Sequence, residues 1–240
     1  MAFFDLHSHL LCNVDDGATS AEEMYAMLDM AYADGTRAMC LTPHFAPYLF
    51  GDPSQSFESS FQLLKAYATE RYPDMELFLG HELGYYESCT QAVDEGLCRT
   101  LGNGRYLLVD FSEASSFLKI QRAMELLQRT GYDPILAHAE RYRSLYRHMD
   151  WVRDFVAAGG LVQINASSAM GDWGRLAKRQ WKRLVKEGLV HIVASDGHNL
   201  TTRPPKISVC LPYLAKYCSP QEIQKLTWDN PWRVMRDQPI

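Results

Sequence analysis

The sequence predicts an α/β fold built on a parallel sheet, and two observations carry the prediction. Short apolar runs alternate with amphipathic stretches from the first residues to about residue 200, as successive βα units do. The runs are Phe3–His7, Ala38–Thr42, Glu76–Gly80, Tyr106–Phe111, Pro134–His138, Leu161–Asn165 and Val190–Ser195, seven in all. They are mostly apolar throughout, as strands covered on both faces must be. Seven parallel strands can form an open doubly wound sheet or close into a barrel, and the apolar pattern does not separate the two. A chain of 240 residues with 47% hydrophobic and 22% charged residues suits one domain of α/β-barrel size. Residues 1–240 show no linker, low-complexity tract or short-period repeat and are expected to form a single domain.

The helices follow from pattern. Ser20-Ala21-Glu22-Glu23 reads as a capping box, with Met24, Met27, Leu28 and Ala31 on one face and Gly35 as the stop. Phe57, Phe61, Leu64 and Ala68 keep the helical period, as do Phe117, Ile120, Met124 and Leu127 before Gly131. Ser219-Pro220-Gln221-Glu222 is a second capping box with proline at the first helical position. Arg175, Lys178, Arg179, Lys182, Arg183 and Lys186 also recur at helical spacing, with Leu176, Trp181, Leu184 and Val185 expected on the other side. Without those six, 18 basic residues face 29 acidic ones. The stripe reads either as the solvated face of an outer helix or as a dock for an acidic partner or membrane surface.

Composition excludes several classes of function. With 24 Lys+Arg against 29 Asp+Glu the net charge is -5, so no global field draws in polyanions and nucleic acid is not an expected partner. The start MAFFDLHSHL has no basic leader, and no apolar run approaches the roughly 18 residues that span a bilayer. The expectation is a cytoplasmic protein without an integral membrane segment. The six cysteines, Cys12, Cys40, Cys89, Cys98, Cys210 and Cys218, show no C-x-x-C spacing and are expected to be reduced thiols.

The chemistry gathers at strand ends. In Asp5-Leu6-His7-Ser8-His9 the two-residue strand period puts His7 and His9 on one face as a chelating pair. The next runs end at Thr42-Pro43-His44, His81-Glu82, Asp110, His138-Ala139-Glu140-Arg141 and Ser195-Asp196-Gly197-His198. Six of the seven strands therefore deliver a metal-type ligand at the carboxyl end, where barrel active sites are built. Asp15-Asp16-Gly17 adds a carboxylate near the same mouth, one aspartate of the two being taken as a turn residue only. Nine candidate ligands result: His7, His9, Asp16, His44, Glu82, Asp110, His138, Asp196 and His198. Imidazole and carboxylate without thiolate suit hard or borderline divalent ions. Nine exceed the three or four that hold one zinc-like ion, so two or three ions are implied. Such a centre stays electropositive against its four carboxylates and suits an anionic phosphate. Arg141 and Arg203 follow His138 and His198 closely enough to reach over it, and arginine forks match phosphate oxygens.

These motifs, together with Ala194-Ser195-Asp196-Gly197-His198-Asn199-Leu200 and Arg203-Pro204-Pro205, resemble the PHP (polymerase and histidinol phosphatase) superfamily. Within it they are most similar to the bacterial manganese-dependent tyrosine-protein phosphatases of capsular and exopolysaccharide synthesis clusters, the CpsB/CapC type. The resemblance runs from residue 5 to about 205 and takes in Asp229-Asn230-Pro231. It implies a distorted seven-stranded β/α (TIM-like) barrel and a centre of two to three divalent ions, usually manganese, with iron, magnesium or zinc as alternatives. Carried over, His7, His9, Glu82 and Asp196 would hold one ion, Glu82 would bridge to a second held with Asp110 and His138, and Asp16, His44 and His198 would hold the third. Arg141 and Arg203 match phosphate-binding arginines. The implied activity is hydrolysis of phosphotyrosine on a protein, a tyrosine kinase of polysaccharide synthesis, with self-association left open. Other readings are a histidinol-phosphate-type phosphatase, a nuclease of the same superfamily, or a non-catalytic metal-stabilised binding module. Two positions depart from the pattern: Asp110 stands where glutamate is common, and Cys12 where many relatives have proline.

Overall fold

The structure, a computed structural model, describes residues 1–50 and 54–240. Among these residues the strands are β1 (Phe3–Asp5), β2 (Thr36–Leu41), β3 (His44–Phe45), β4 (Glu76–Leu79), β5 (Glu82–Gly84), β6 (Tyr106–Asp110), β7 (Asp133–Leu136), β8 (Leu161–Asn165) and β9 (Ile192–Ala194). All pairings are parallel, in two sheets of order β1-β2-β4 and β3-β5-β6-β7-β8-β9.

The expected count of seven is not what the ladders give. Five of the expected strands are present with small differences at their ends, but the runs at Ala38–Thr42 and Glu76–Gly80 are each followed by a second short strand. Pro43, which has no N–H to donate, separates β2 from β3, and Gly80-His81 separates β4 from β5. Bonds still cross the gap, Gly80 N to Leu41 O at 2.9 Å and Glu82 N to Pro43 O at 3.1 Å. At the other side, Ser8 bridges Gly197, and Asp196 N donates to His7 O and His9 N to Gly197 O, both at 2.9 Å. Asp5, buried beneath this junction, accepts from Ser195 N and Ser195 Oγ. The result is a strongly curled parallel sheet.

The strand period sorts the core into layers. Phe4 and Leu6, Ala38 and Cys40, Tyr106 and Leu108, Leu161 and Ile192 pack together inside the curl, closed below by Val234 and Met235. The last two belong to α10 (Asn230–Met235). On β6 and β8 the same inward face continues upward as Asp110 and as Gln163 and Asn165. The apolar floor therefore turns polar at the carboxyl ends. Outside the sheet, α1 (Ala21–Asp34), the short α2 (Pro47–Phe50) and α3 (Ser54–Arg71) are followed by α4 (Cys89–Asp94), α5 (Phe117–Arg129), α6 (Met149–Ala157) and α7 (Gly174–Lys186). After β9 come α8 (Leu211–Leu214), α9 (Pro220–Gln224) and α10. No helix among the described residues is long and apolar enough to cross a membrane.

The helix signals hold in most details. Met24, Met27, Leu28 and Ala31 are buried, and Gly35 ends α1 in the left-handed region. Ser20 Oγ accepts from Glu23 N, but the Glu23 carboxylate reaches Thr19 N and Oγ1 rather than the Ser20 amide, so only half of that capping box forms. The box at Ser219 and Glu222 is complete. On α7 the buried face is Ala177, Gln180, Trp181, Leu184 and Val185, while Leu176 lies on the exposed side with the basic residues. Asn230 Nδ2 donates to His191 O at 2.8 Å, tying the Asp-Asn-Pro motif to the entry of β9.

Candidate metal centre

The centre is assembled at the carboxyl end of the curl, and two glycines of the motifs let its loops close. A Cβ on Gly17 would lie 2.0 Å from the His9 carbonyl oxygen, and one on Gly197 would lie 2.7 Å from Pro205 Cα. The first contact folds Asp15-Asp16-Gly17 over β1. The second brings the Arg203-Pro204-Pro205 loop onto Asp196. His138 and Asp196 both have positive φ, 31° and 53°, a conformation that costs non-glycine residues energy and recurs at functional sites.

Glu82 lies at the middle. Its Oε2 is 3.2 Å from Nε2 of both His7 and His9 and 3.0 Å from His44 Nδ1, while Oε1 is 2.9 Å from His138 Nε2. Asp196 Oδ1 is 3.5 Å from His7 Nε2 and 3.6 Å from His9 Nε2. Asp110 Oδ1 is 3.5 Å from His138 Nε2 and accepts from Tyr142 OH at 3.0 Å. Asp16 Oδ1 is 3.4 Å from Nε2 of both His44 and His198. All nine ligand-type side chains named from the sequence thus come together. Three overlapping groups have ligand atoms close enough to share an ion: His7, His9 and Glu82; His44, Glu82 and Asp110; and His9, Asp16, His44 and His198.

The hydrogen bonds behind these rings fit the donor set to cations. His9 Nδ1 is 2.7 Å from Asp15 Oδ2 and His7 Nδ1 is 3.1 Å from Gln163 Oε1. In the neutral rings each Nδ1 therefore carries the proton, leaving two Nε2 lone pairs 3.1 Å apart beside carboxylate oxygens of Glu82 and Asp196. His198 repeats the pattern: its Nδ1 donates to Asp196 O at 2.9 Å, and its buried Nε2, without a hydrogen-bond partner, faces Asp16 Oδ1. Acceptors directed at acceptors in a buried site repel unless a cation lies between them.

The titration behaviour reflects the same field. Burial lowers His7, but the charges of Glu82 and Asp196 outweigh it and raise the ring to about 9. Burial and then the charge of Glu82 push Asp110 up to about 7. Burial raises Asp15, but the neighbouring His9 prevails and holds it at about 2. A site negative enough to draw a proton onto a fully buried imidazole draws a divalent cation for the same reason.

Arg141 and Arg203 border the open side. Arg203 Nη2 donates to both Asp196 oxygens, at 2.9 and 2.8 Å, and Arg141 Nη1 donates to Asp196 Oδ2 at 3.3 Å. Arg141 also donates to Glu113 Oε1. The two guanidinium carbons lie 3.7 and 5.2 Å from the Trp173 ring centroid, so one indole supports both.

Sequence reasoning missed Asp15, Gln163, Asn165, Tyr142 and Trp173. Asp15, read as a turn residue, does accept from Gly17 N, and it also orients His9 and accepts from His44 N. Gln163 and Asn165 carried the same two-residue spacing that singled out His7 and His9, and gave a usable signal. His81, beside Glu82, is not in the centre. Its Nδ1 accepts from Arg99 N, and burial, then the Arg99 charge, lowers it to about 3.

Residues 3–236 match the family model for capsular polysaccharide synthesis proteins CpsB/CapC. The chain belongs to the CpsB/CapC family. The tyrosine-protein phosphatase CpsB of Streptococcus pneumoniae is 31% identical over 241 residues, covering 98% of this chain and 99% of its own. A chain from the crystal structures of YwqE from Bacillus subtilis and CpsB from Streptococcus pneumoniae, described as unique metal-dependent tyrosine phosphatases, superposes with a TM-score of 0.88 at 27% identity over 99% of this chain and 96% of that one. A phosphotriesterase homology protein from Escherichia coli shares the fold, with a TM-score of 0.61 at 14% identity over 98% of each chain. This CpsB/CapC chain therefore has the α/β architecture of a curled, TIM-like parallel sheet.

Proposed function

We propose that this chain is a metal-dependent protein-tyrosine phosphatase acting on a tyrosine kinase of capsule or exopolysaccharide synthesis. The observation that carries the reading is the convergence of nine ligand-type side chains about Glu82 with two arginines on one open rim. On this reading residues 1–240 work as one unit, and the Ser8–Gly197 bridge supports treating the two sheets as one distorted barrel of seven chain segments.

His7, His9, Glu82 and Asp196 would hold one ion. Glu82 would bridge to a second with Asp110 and His138, and Asp16, His44 and His198 would hold the third. The overlap of the groups at His9 and His44 leaves those two rings able to serve neighbouring positions. Manganese is the expected ion, with iron, magnesium or zinc suiting the same donors. Bound divalent ions supply Lewis-acid activation of water and neutralise phosphate charge. The chain's own part is orientation. Arg141 and Arg203, held on Trp173, present guanidinium N–H groups to the phosphate oxygens that gain charge as the phosphorus is attacked in line. A phenolate leaves with a pKa of about 10, which lowers the demand for a general acid. No cysteine takes part. Cys12, Cys40, Cys89, Cys98 and Cys210 are all buried.

The test is side-by-side turnover of a phosphotyrosyl peptide, histidinol phosphate and single-stranded DNA by the manganese-loaded chain. The phosphopeptide should be preferred, chelation should abolish turnover, and thiol alkylation should leave it intact. Preference for histidinol phosphate or DNA, or chelator-resistant and thiol-sensitive turnover, overturns the reading.

A further inference from the structure

Strand β8 supplies none of the nine ligand-type side chains, yet its inward face carries two buried amides directly beneath the centre, Gln163 and Asn165. Gln163 Oε1 lies 2.8 Å from His138 N and 3.1 Å from His7 Nδ1. Gln163 Nε2 lies 2.9 Å from Asn165 Oδ1, and Asn165 Nδ2 lies 2.7 Å from Asp196 Oδ2.

The polarity of this chain has only one solution. A backbone N–H can only donate, so the atom of Gln163 facing His138 N must be the carbonyl oxygen. That oxygen also faces His7 Nδ1, which must then carry a proton, so that in the neutral ring Nε2 is the lone pair toward Glu82 and His9. The Gln163 amide nitrogen consequently points at Asn165, whose oxygen must accept. The Asn165 nitrogen is thereby turned to Asp196, a carboxylate that can only accept. One backbone amide, at a residue with positive φ, thus sets the direction of every bond in a line of four side chains.

We infer that Gln163 and Asn165 are positioning residues that act as one relay. Gln163 fixes the tautomer of His7, and Asn165 fixes the rotation of the Asp196 carboxylate, so that both present lone pairs to a cation. The inference rests on the reading of His7 and Asp196 as metal ligands. Outer hydrogen-bond partners of this kind hold ring orientation and basicity, and their removal typically weakens metal binding by about 10–100-fold. The relay also explains why an amide rather than a carboxylate stands at each position. A carboxylate at 163 would face the Asn165 oxygen unless that amide turned over, which would set an oxygen against Asp196. A carboxylate at 165 would do the same directly.

The experiment measures two quantities in the full chain: the ring-nitrogen NMR shifts of His7 before metal loading at about pH 10, where the ring is neutral, and Mn²⁺ affinity by competition with a chelator. Wild type should show His7 protonated at Nδ1. Gln163→Leu should lose that tautomer and weaken Mn²⁺ binding by about 10–100-fold. Gln163→Glu, which keeps an acceptor at His7 and nearly the same shape, should retain the tautomer yet bind Mn²⁺ more weakly through the Asp196 end. Asn165→Leu should likewise leave the His7 tautomer unchanged while weakening the ion. A merely structural role would not divide the two readouts in this way. If Gln163→Leu keeps both the Nδ1-protonated ring and wild-type Mn²⁺ affinity, the relay is refuted. If wild type itself takes up no Mn²⁺, the ligand reading fails, and the tautomer in Gln163→Glu against Gln163→Leu still decides whether Gln163 sets the ring. Should Gln163→Leu fail to fold, Gln163→Glu and Asn165→Leu carry the same comparison, and loss of the tautomer in either overturns the relay.

Discussion

Replacing Asp15 with asparagine isolates the support of His9 from the metal ligands themselves. Asp15 makes three bonds with two oxygens: Oδ1 accepts from Gly17 N at 3.0 Å, while Oδ2 accepts from His44 N at 2.9 Å and from His9 Nδ1 at 2.7 Å. Asparagine has one acceptor oxygen. Placed at the Oδ2 position it keeps two bonds and sets its NH₂ against the Gly17 amide. Placed at Oδ1 it keeps one and sets its NH₂ against His44 N and His9, forcing the His9 proton onto Nε2. The first orientation wins, but the surviving bond to His9 is no longer to a charged acceptor. Bonds to charged groups are worth about 1.5–3 kcal/mol against about 0.5–1.5 for neutral ones. The loss of about 1–1.5 kcal/mol at His9 corresponds to about 5–10-fold in Mn²⁺ affinity. The assay is competition for Mn²⁺ against a chelator, followed by turnover of phosphotyrosyl peptide at saturating Mn²⁺. Affinity should fall, and excess metal should restore turnover to near wild type. Unchanged affinity in a folded Asp15→Asn protein, or lost turnover that no metal concentration restores, refutes the assignment of Asp15 to His9.

Other perturbations separate the parts of the site. His7→Ala or Asp196→Ala should lower metal content measured after dialysis. Arg141→Ala or Arg203→Ala should leave metal content near wild type and cut turnover by roughly 10²–10³-fold, the cost of one preorganised donor. Asp110→Glu should keep activity within about tenfold of the parent, because the donor chemistry is unchanged. Native protein treated with a thiol reagent should retain Cys40, Cys98 and Cys210 unmodified by mass spectrometry. Burial raises the first two thiols and pushes Cys210 up to about 12. Away from the centre, burial lowers His191 to about 4, whereas the unfolded ring titrates near 6.5. The unfolded state therefore takes the proton first as pH falls. Stability present above about pH 6.5 is lost toward pH 4, by about 2 kcal/mol between pH 7 and pH 5. Urea unfolding should show a flatter slope in His191→Gln than in wild type, the difference between the two being that contribution.

What the sequence disclosed and what it hid follow from how local each signal is. His7 with His9, and Asp110, His138 and Asp196 at strand ends, were legible because alternation and strand length are local properties, and the ligand types are rare in apolar strands. The strand break at Pro43 was not, because a proline after an apolar run marks an end equally well whether or not the chain resumes pairing two residues later. Asp15 was hidden for a similar reason. Asp-Gly satisfies its own turn, and only the tertiary approach of His9 reveals the second use. The half-formed box at Ser20 depends on Thr19 offering both N–H and hydroxyl to Glu23, a competition that spacing does not encode. Gln163 and Asn165 were visible by spacing but carry neutral amides, whose role is set by a backbone donor just beyond β7, at His138.

Trp173 illustrates how such hidden residues matter to the chemistry. Arg141 and Arg203 come from segments far apart in sequence, and each free arginine side chain carries about 2 kcal/mol of rotamer entropy. In the fold both lie against one indole, and both donate to Asp196, which also receives Asn165 and faces His7 and His9. The ordering of two flexible cations is therefore completed during folding, when the helix entry at Trp173 meets the Arg203-Pro204-Pro205 loop, and not when an anion arrives. An anion reaching the rim exchanges carboxylate oxygens for its own at donors already aimed. Because the carboxylate it displaces them from also faces His7 and His9, the anion-binding rim and the ligand cluster meet at Asp196.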